Sequence, residues 1–305
     1  MFARLRTLAL LFAFACLPFA PAAADDAPVK ATPAMWTVHG PKGTAYLLGS
    51  VHALPDNIDW QTPQFKAAIK QANVFVFEVP MDADHRAMAA RMLSENELLP
   101  ISRSLPSYFN SEMRSEWRAA IEHTQIQPEV LVMMRPWFAA FMLRGAMTGH
   151  IPIYASEGVD NKVYAMALAR GVTDFRHFET DDQQLHVMMG NASPANELAM
   201  LDAAMRDASA RPMTSFKNLL AAWEKGDPQA IDLANRATDP AGNKAMLDDR
   251  NRNWIPQIVK MLAEKRTFFI TVGAGHLVGV NGVPNLLRAQ GYTVDGPDNQ
   301  AALRR

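Results

Sequence analysis

The stretch TFFITVGAGHLVGVNG, residues 267–282, decides the fold. Four of its first six residues are bulky and apolar, which reads as a buried strand, and the chain then turns through Gly273 and Gly275 into His276. Glycine at the end of a buried strand allows positive φ or close backbone approach. A histidine placed after it emerges where open α/β sheets deliver ligand-binding groups, beyond the carboxyl ends of their strands. A second stretch, YLLGSVHALP, has the same grammar: an apolar strand, then Gly49-Ser50-Val51-His52.

Between the two lies VFVFEVP, residues 74–80, a continuous β-branched and aromatic run that reads as a strand buried on both faces. It carries Glu78, and a carboxylate inside an apolar strand is costly unless it is paired, coordinated or at the strand's exit. His52, Glu78 and His276 therefore stand out together. Two histidines and one carboxylate are a common ligand set for a catalytic divalent metal. They equally make a metal-free acid–base set. His39, His85, His123, His150, His177 and His186 lack the glycine-turn grammar and are left out.

Working outward, residues 35–55 show two short apolar runs flanking His39-Gly40-Pro41-Lys42-Gly43, which predicts a hairpin. Thr62-Pro63 opens a predicted helix to about Asn73, so strand, helix and strand suggest a βαβ-like unit. From about residue 82 to 265 Ala, Met, Leu and Glu recur at helical spacing, with short extended pieces at IPIYA and VTDFRHFE. The many methionines there read as gap-filling in helix packing or as an adaptable binding surface. After the strand at Thr267 come a helix and a last short strand in VPNLLRAQGYTVD. The expected fold class is α/β: a mixed central sheet built from the N- and C-terminal segments, with a long helical insertion, as one domain over residues 35–298.

Residues 1–24 read as a signal peptide: Arg4 and Arg6, an apolar run from Thr7 to Ala20, and small residues Ala22-Ala23-Ala24 before cleavage. The run is too short for a membrane span, which needs roughly 20 residues, and no later segment reaches that length. The one cysteine, Cys16, lies inside this leader, where a lipoprotein site is the alternative. Without residues 1–24 the chain carries 28 basic and 31 acidic residues, a net charge of −3 that gives no reason to expect nucleic acid as a partner. Residues 25–34 read as a disordered lead-in, and the expected compartment is the periplasm or the exterior.

Gly49-x-x-His52, Glu78 on a strand and Gly273-Ala274-Gly275-His276-Leu277 with Gly279 and Gly282 resemble the TraB/GumN family, which is related to the TIKI proteases of animals. The resemblance extends through SEGVD (156–160), FETDDQQL (178–185) and DDRNRNW (248–254), over about residues 35–295. It implies a divalent metal, manganese or cobalt, held by His52, Glu78 and His276, and a peptide or amide substrate. The wider superfamily is taken to include esterase-like hydrolases and a haem-binding protein. By position Arg250 and Asn251 match the family's Arg-Asn pair, able to orient a carboxylate or hold a polarised oxygen. Glu157 and Asp160 are supporting groups or helix-start residues. In segment 178–185 the family places a glutamate near Asp182, which leaves the role of Glu179 open.

The leading expectation is thus an exported, divalent-metal-dependent hydrolase of peptide or amide bonds. The alternatives are a haem- or ligand-binding protein without turnover, and a metal-free esterase-like hydrolase. No Gly-x-Ser-x-Gly elbow occurs and no cysteine lies beyond residue 24, so serine-elbow and cysteine mechanisms are not expected.

Overall fold

A computed structural model describes residues 28–81, 98–100, 102–146, 155–189, 193–209, 214–236 and 243–297. Strand β1 (Val29–Lys30) comes first, followed by the expected hairpin of β2 (Met35–His39) and β3 (Thr44–Ser50), and by β4 (Ile58–Asp59). The Thr62 hydroxyl accepts from the Phe65 N–H at 3.1 Å and so caps α1 (Pro63–Gln71), with Pro63 in the first turn. All four residues of β5 (Val74–Phe77) are buried, as its unbroken apolar run requires.

The middle of the chain is mostly helical: α2 (Ser111–Thr124), α3 (Pro128–Leu131), α4 (Pro136–Ala146) and α5 (Val159–Ala169) precede β6 (Phe175–His177). Helices α6 (Asp181–Met188), α7 (Pro194–Ser209), α8 (Thr214–Glu224) and α9 (Pro228–Arg236) follow. A π-helical stretch, Lys244–Asp249, runs directly into α10 (Arg250–Leu262). Strand β7 (Thr267–Gly273), a 3-10 turn (Ala274–Leu277), α11 (Val283–Ala289) and β8 (Thr293–Asp295) end the described chain. Most of the extended piece expected at 151–155 lies outside the described residues; Ala155 begins a 3-10 turn.

The two ends of the chain do share a sheet. Its order is β6-β5-β7-β3-β2-β8, with β6, β5, β7 and β3 mutually parallel and β2 antiparallel to both its neighbours. Strands β1 and β4 form a separate parallel pair. The middle section is not purely helical, because β6 leaves it to become an edge strand beside β5. Four parallel strands therefore end side by side along one edge of the sheet.

Packing explains why the sheet holds its register. Phe75 on β5 stacks on Phe269 of β7, with ring centroids 5.7 Å apart, and Phe65 of α1 meets the same ring edge-on at 5.7 Å. Truncating such a fully buried phenylalanine costs about 3–5 kcal/mol. A second apolar cluster joins Met113 and Trp117 of α2, Leu143 of α4, and Leu201 and Met205 of α7. Within the helical section Arg135 pairs with Glu197, whose side chain is buried.

Candidate functional site

The parallel strand ends deliver one polar group each. In spatial order these are Glu179, two residues beyond β6; Glu78, directly after β5; His276, in the turn after β7; and His52, two residues beyond β3. The Glu179 N–H donates to the Glu78 carbonyl at 2.9 Å, which carries the pairing of β6 and β5 into the site. Strands β3 and β7 pair in register with Ser50 opposite Gly273, so the two Gly-x-x-His motifs leave the sheet from adjacent strands.

The glycines are needed for close approach, and Gly49, Gly273 and Gly275 all lie outside the positive-φ region. A Cβ on Gly49 would come within 2.9 Å of Ala274 Cα in the partner motif. One on Gly273 would sit 3.2 Å from Glu78 Oε1, 3.6 Å from His276 Cδ2 and 3.7 Å from His52 Nε2. One on Gly275 would lie 3.0 Å from Asn235 Nδ2 and 3.2 Å from Leu247 Cδ1. Thus Gly273 is the point on which Glu78 and both histidines converge, and Gly275 lets the next wall of the cavity close in.

Arg250, at the start of α10, ties the buried part together. Its Nη2 donates to Glu78 Oε2 at 2.6 Å, and its Nε donates to both Glu179 oxygens at 2.9 and 3.0 Å. Nη1 donates to the Met246 carbonyl at 3.0 Å and lies 3.1 Å from His276 Nε2. The other Glu78 oxygen, Oε1, accepts the Gly273 N–H at 2.6 Å. One turn further along α10, Trp254 donates from Nε1 to Glu179 Oε1 at 2.8 Å and lays its ring over His276, with centroids 4.3 Å apart.

Asn251 sets the tautomer of His276. Its Nδ2 donates to the carbonyls of His276 and Asn281, at 3.2 and 2.8 Å, so its Oδ1 faces His276 Nδ1 at 2.6 Å as an acceptor. Nδ1 therefore carries the ring proton and Nε2 presents a lone pair to Arg250. Burial, with the Arg250 charge alongside, pushes the His276 pKa down to about 3, so the ring is neutral. Burial opposes the Glu78 carboxylate, yet nearby positive charge, Arg250 included, and the Gly273 N–H hold it down to about 2.

His52 has the same motif and the opposite setting. Its side chain is 69% exposed where that of His276 is 3% exposed. Its Nδ1 bonds Asp160 Oδ2 at 2.7 Å, and the Asp160 carboxylate raises its pKa to about 9 against the opposing effect of desolvation. Exposure to water screens part of that shift. The contact depends on Gly158: a Cβ there would lie 2.1 Å from the His52 carbonyl oxygen, so only glycine lets α5 dock beneath the turn. The Val159 N–H donates to the Val51 carbonyl at 3.1 Å and fixes this docking.

His52, Glu78, His276 and Arg250 line a cavity of about 680 Å³, while Asn251 acts from behind His276. Asp160 also joins the site, whereas Glu157 pairs with Lys162 at 2.9 Å. Glu179, whose role the sequence left open, is bound to Arg250, and Trp254, present in the sequence only as the end of the DDRNRNW segment, stacks on His276.

The donors as they stand do not fit the divalent ion that the resemblance implies. His276 Nε2 and Glu78 Oε1 are 3.7 Å apart, but a guanidinium faces the first, and both Glu78 oxygens already accept hydrogen bonds of 2.6 Å. Arg250 is itself held by Glu179 and Met246, so an ion would have to displace an anchored cation. Among the described residues no three His, Cys, Asp or Glu side chains are gathered closely enough to hold a metal. Of the two histidines, His52 alone keeps a ring nitrogen open to a ligand, haem iron included.

Fold and site together define an α/β protein with a charged cleft at the carboxyl ends of four parallel strands. The chain belongs to the TraB/PrgY/gumN family, whose model matches residues 34–296. Neither a curated protein nor a solved structure matches it. Among the described residues no helix is long and apolar enough to cross a membrane.

Proposed function

We propose that this protein hydrolyses an amide or ester bond with His52 as the proton-handling group. The observation that carries the reading is the His52–Asp160 pair: Asp160 binds Nδ1 at 2.7 Å, and Nε2 is left to face the cavity above Gly273. A histidine whose far nitrogen is held by a carboxylate has a fixed ring orientation and a stabilised imidazolium. His52 Nε2 takes a proton from a water as that water attacks the substrate carbonyl, and returns it to the departing amine or alkoxide. The nearby Glu78 carboxylate raises the proton affinity of His52 further.

In this reading Arg250 and Asn251 are positioning residues. Arg250 holds Glu78 and Glu179 in place, and Asn251 holds His276 as a neutral ring. The reading of residues 1–24 as a signal peptide supports a site of action outside the cytoplasm.

The test is hydrolysis of a peptide and ester library by the purified protein, before and after exhaustive chelation. Activity that survives chelation and falls by roughly 10²–10⁴-fold in His52→Ala is expected for a positioned acid–base group. Activity lost on chelation and restored by manganese or cobalt would replace this reading with metal-assisted hydrolysis.

A further inference from the structure

The cavity extends beyond the ionised groups: its lining also includes the amides Asn161, Gln184 and Asn235 and six large apolar side chains, Met81, Met188, Phe216, Leu219, Met246 and Leu247. All six are partly rather than fully buried, although large apolar side chains are normally covered. They come from four separate places: the segment after β5, α6, α8 and the π-helical stretch. Three are methionines, whose unbranched side chains adapt to flexible apolar ligands. The volume, about 680 Å³, lies within the roughly 300–1,000 Å³ range of small-molecule sites.

The ionised groups of the lining select by charge. Glu78, Asp160 and, behind them, Glu179 are carboxylates, set against Arg250 and His52. Even with His52 protonated, negative groups outnumber positive ones, and both Glu78 oxygens are engaged. A ligand carboxylate there would meet a net like charge. An uncharged amide or ester carbonyl meets no such repulsion, and its chain can lie along the apolar wall.

We propose that the cavity takes a medium-chain N-acyl or O-acyl compound, an uncharged amide or ester bearing a flexible apolar chain, and discriminates against the free fatty acid. This rests on the hydrolase reading for the position of the carbonyl beside His52. The chain lies against Met188, Phe216, Leu219 and Met246. The acid released by cleavage would bear a negative charge, so the same electrostatics that reject it as a ligand expel it as a product.

The experiment measures binding to the full chain by calorimetry with octanamide, butanamide and octanoate as probes, beside turnover of octanoyl and acetyl esters. Affinity is expected to rise roughly fourfold per added methylene, about the value of a buried CH₂. Octanoate is expected to bind at least tenfold more weakly than octanamide. Leu219→Ala and Met246→Ala should each weaken octanamide about tenfold. The comparison of probes on the unaltered protein holds even if a variant fails to fold. Octanoate binding as tightly as octanamide, or no dependence on chain length, overturns the proposal. If octanoyl and acetyl esters are cleaved alike, the proposal fails while the hydrolase reading stands. If octanamide binds with the expected chain dependence and no ester or amide is cleaved, the hydrolase reading fails and the ligand class stands.

Discussion

Replacing Arg250 with methionine isolates the buried half of the site. The substitution keeps a long flexible side chain and removes the one guanidinium shared by Glu78 and Glu179, whose side chains are 8% and 11% exposed. Breaking a buried ion pair from one side typically costs about 3–5 kcal/mol, because the remaining charge is left uncompensated. Arg250 supplies part of the fall of the Glu78 pKa from 4.5 to about 2, beside the two histidines and the Gly273 N–H.

The sign of the pH dependence follows from that fall. A carboxylate with a depressed folded pKa contributes stability above its unfolded value, and the contribution is lost as pH falls from 4.5 through about 2. In Arg250→Met the loss of that charge moves the Glu78 carboxylate upward, so it takes up a proton at a higher pH and relieves part of its own penalty. The variant should therefore be about 3–5 kcal/mol less stable than the parent at pH 7, with a smaller difference at pH 5. Urea unfolding followed by tryptophan fluorescence at the two pH values measures both. Arg250→Lys, which keeps the charge but loses the fork, should fall between. A loss below 1 kcal/mol at pH 7, or the same loss at both pH values, would refute the account of Arg250 as the counter-charge of the buried site.

Further predictions concern the open half and the metal question. If His52 is the base, the rate rises with pH to a midpoint between the ordinary histidine value and about 9, and a pH–rate profile measures it. Asp160→Asn should move that midpoint down and lower the plateau, since the substitution removes the anion that favours imidazolium; an unmoved midpoint would show that another group titrates. Arg250→Ala frees His276 Nε2 and one Glu78 oxygen, so it should bind cobalt more tightly than the parent, seen as visible absorption; tighter binding by the parent would show that Arg250 does not block the ion. Ser50 Oγ is buried without a hydrogen-bond partner among the described residues, so Ser50→Ala should be neutral or raise stability by up to about 1 kcal/mol, read from thermal unfolding. If residues 1–24 are a cleaved signal peptide, N-terminal sequencing of the mature protein begins at Asp25, and an intact Met1 would refute that reading.

Much of the fold was legible because the strands that matter are mostly apolar: β5 without interruption, and β7 from Phe268 to Val272 broken only by Thr271. Such runs can only be buried, and the glycines after Leu48 and Val272 mark where each one ends. Glu78 stood out because a carboxylate after four buried residues needs a partner. The partners were another matter: Asp160 is 108 positions from His52, and Arg250 is 172 from Glu78. Neither contact leaves a local pattern, because each depends on where a helix start docks against the sheet. The motif pair also concealed an asymmetry. Equal spacing implied equal roles, yet Asn251 and Trp254 of α10 enclose His276, while His52 bonds Asp160 through Nδ1 and keeps its other nitrogen toward the cavity.

The strand order carries a further consequence. The site groups occur along the chain as His52, Glu78, Glu179 and His276, but across the sheet as Glu179, Glu78, His276 and His52. Glu78 and Glu179 leave the directly paired strands β5 and β6, but His52 and Glu78 are kept apart by β7, the last of the four parallel strands along the chain, which lies between β3 and β5. Glu78 and His52 can face one another across Gly273 only after β7 has inserted between them. Until then Glu78 and Glu179 lack the full set of partners that Gly273 and α10 supply. A core change in β7, such as Phe269→Ala, should thus disturb the cavity as much as the sheet: the variant should lose chain-length discrimination in ligand binding at denaturant concentrations that leave its helical content intact. Parallel loss of the two signals would show instead that site and helices unfold as one unit.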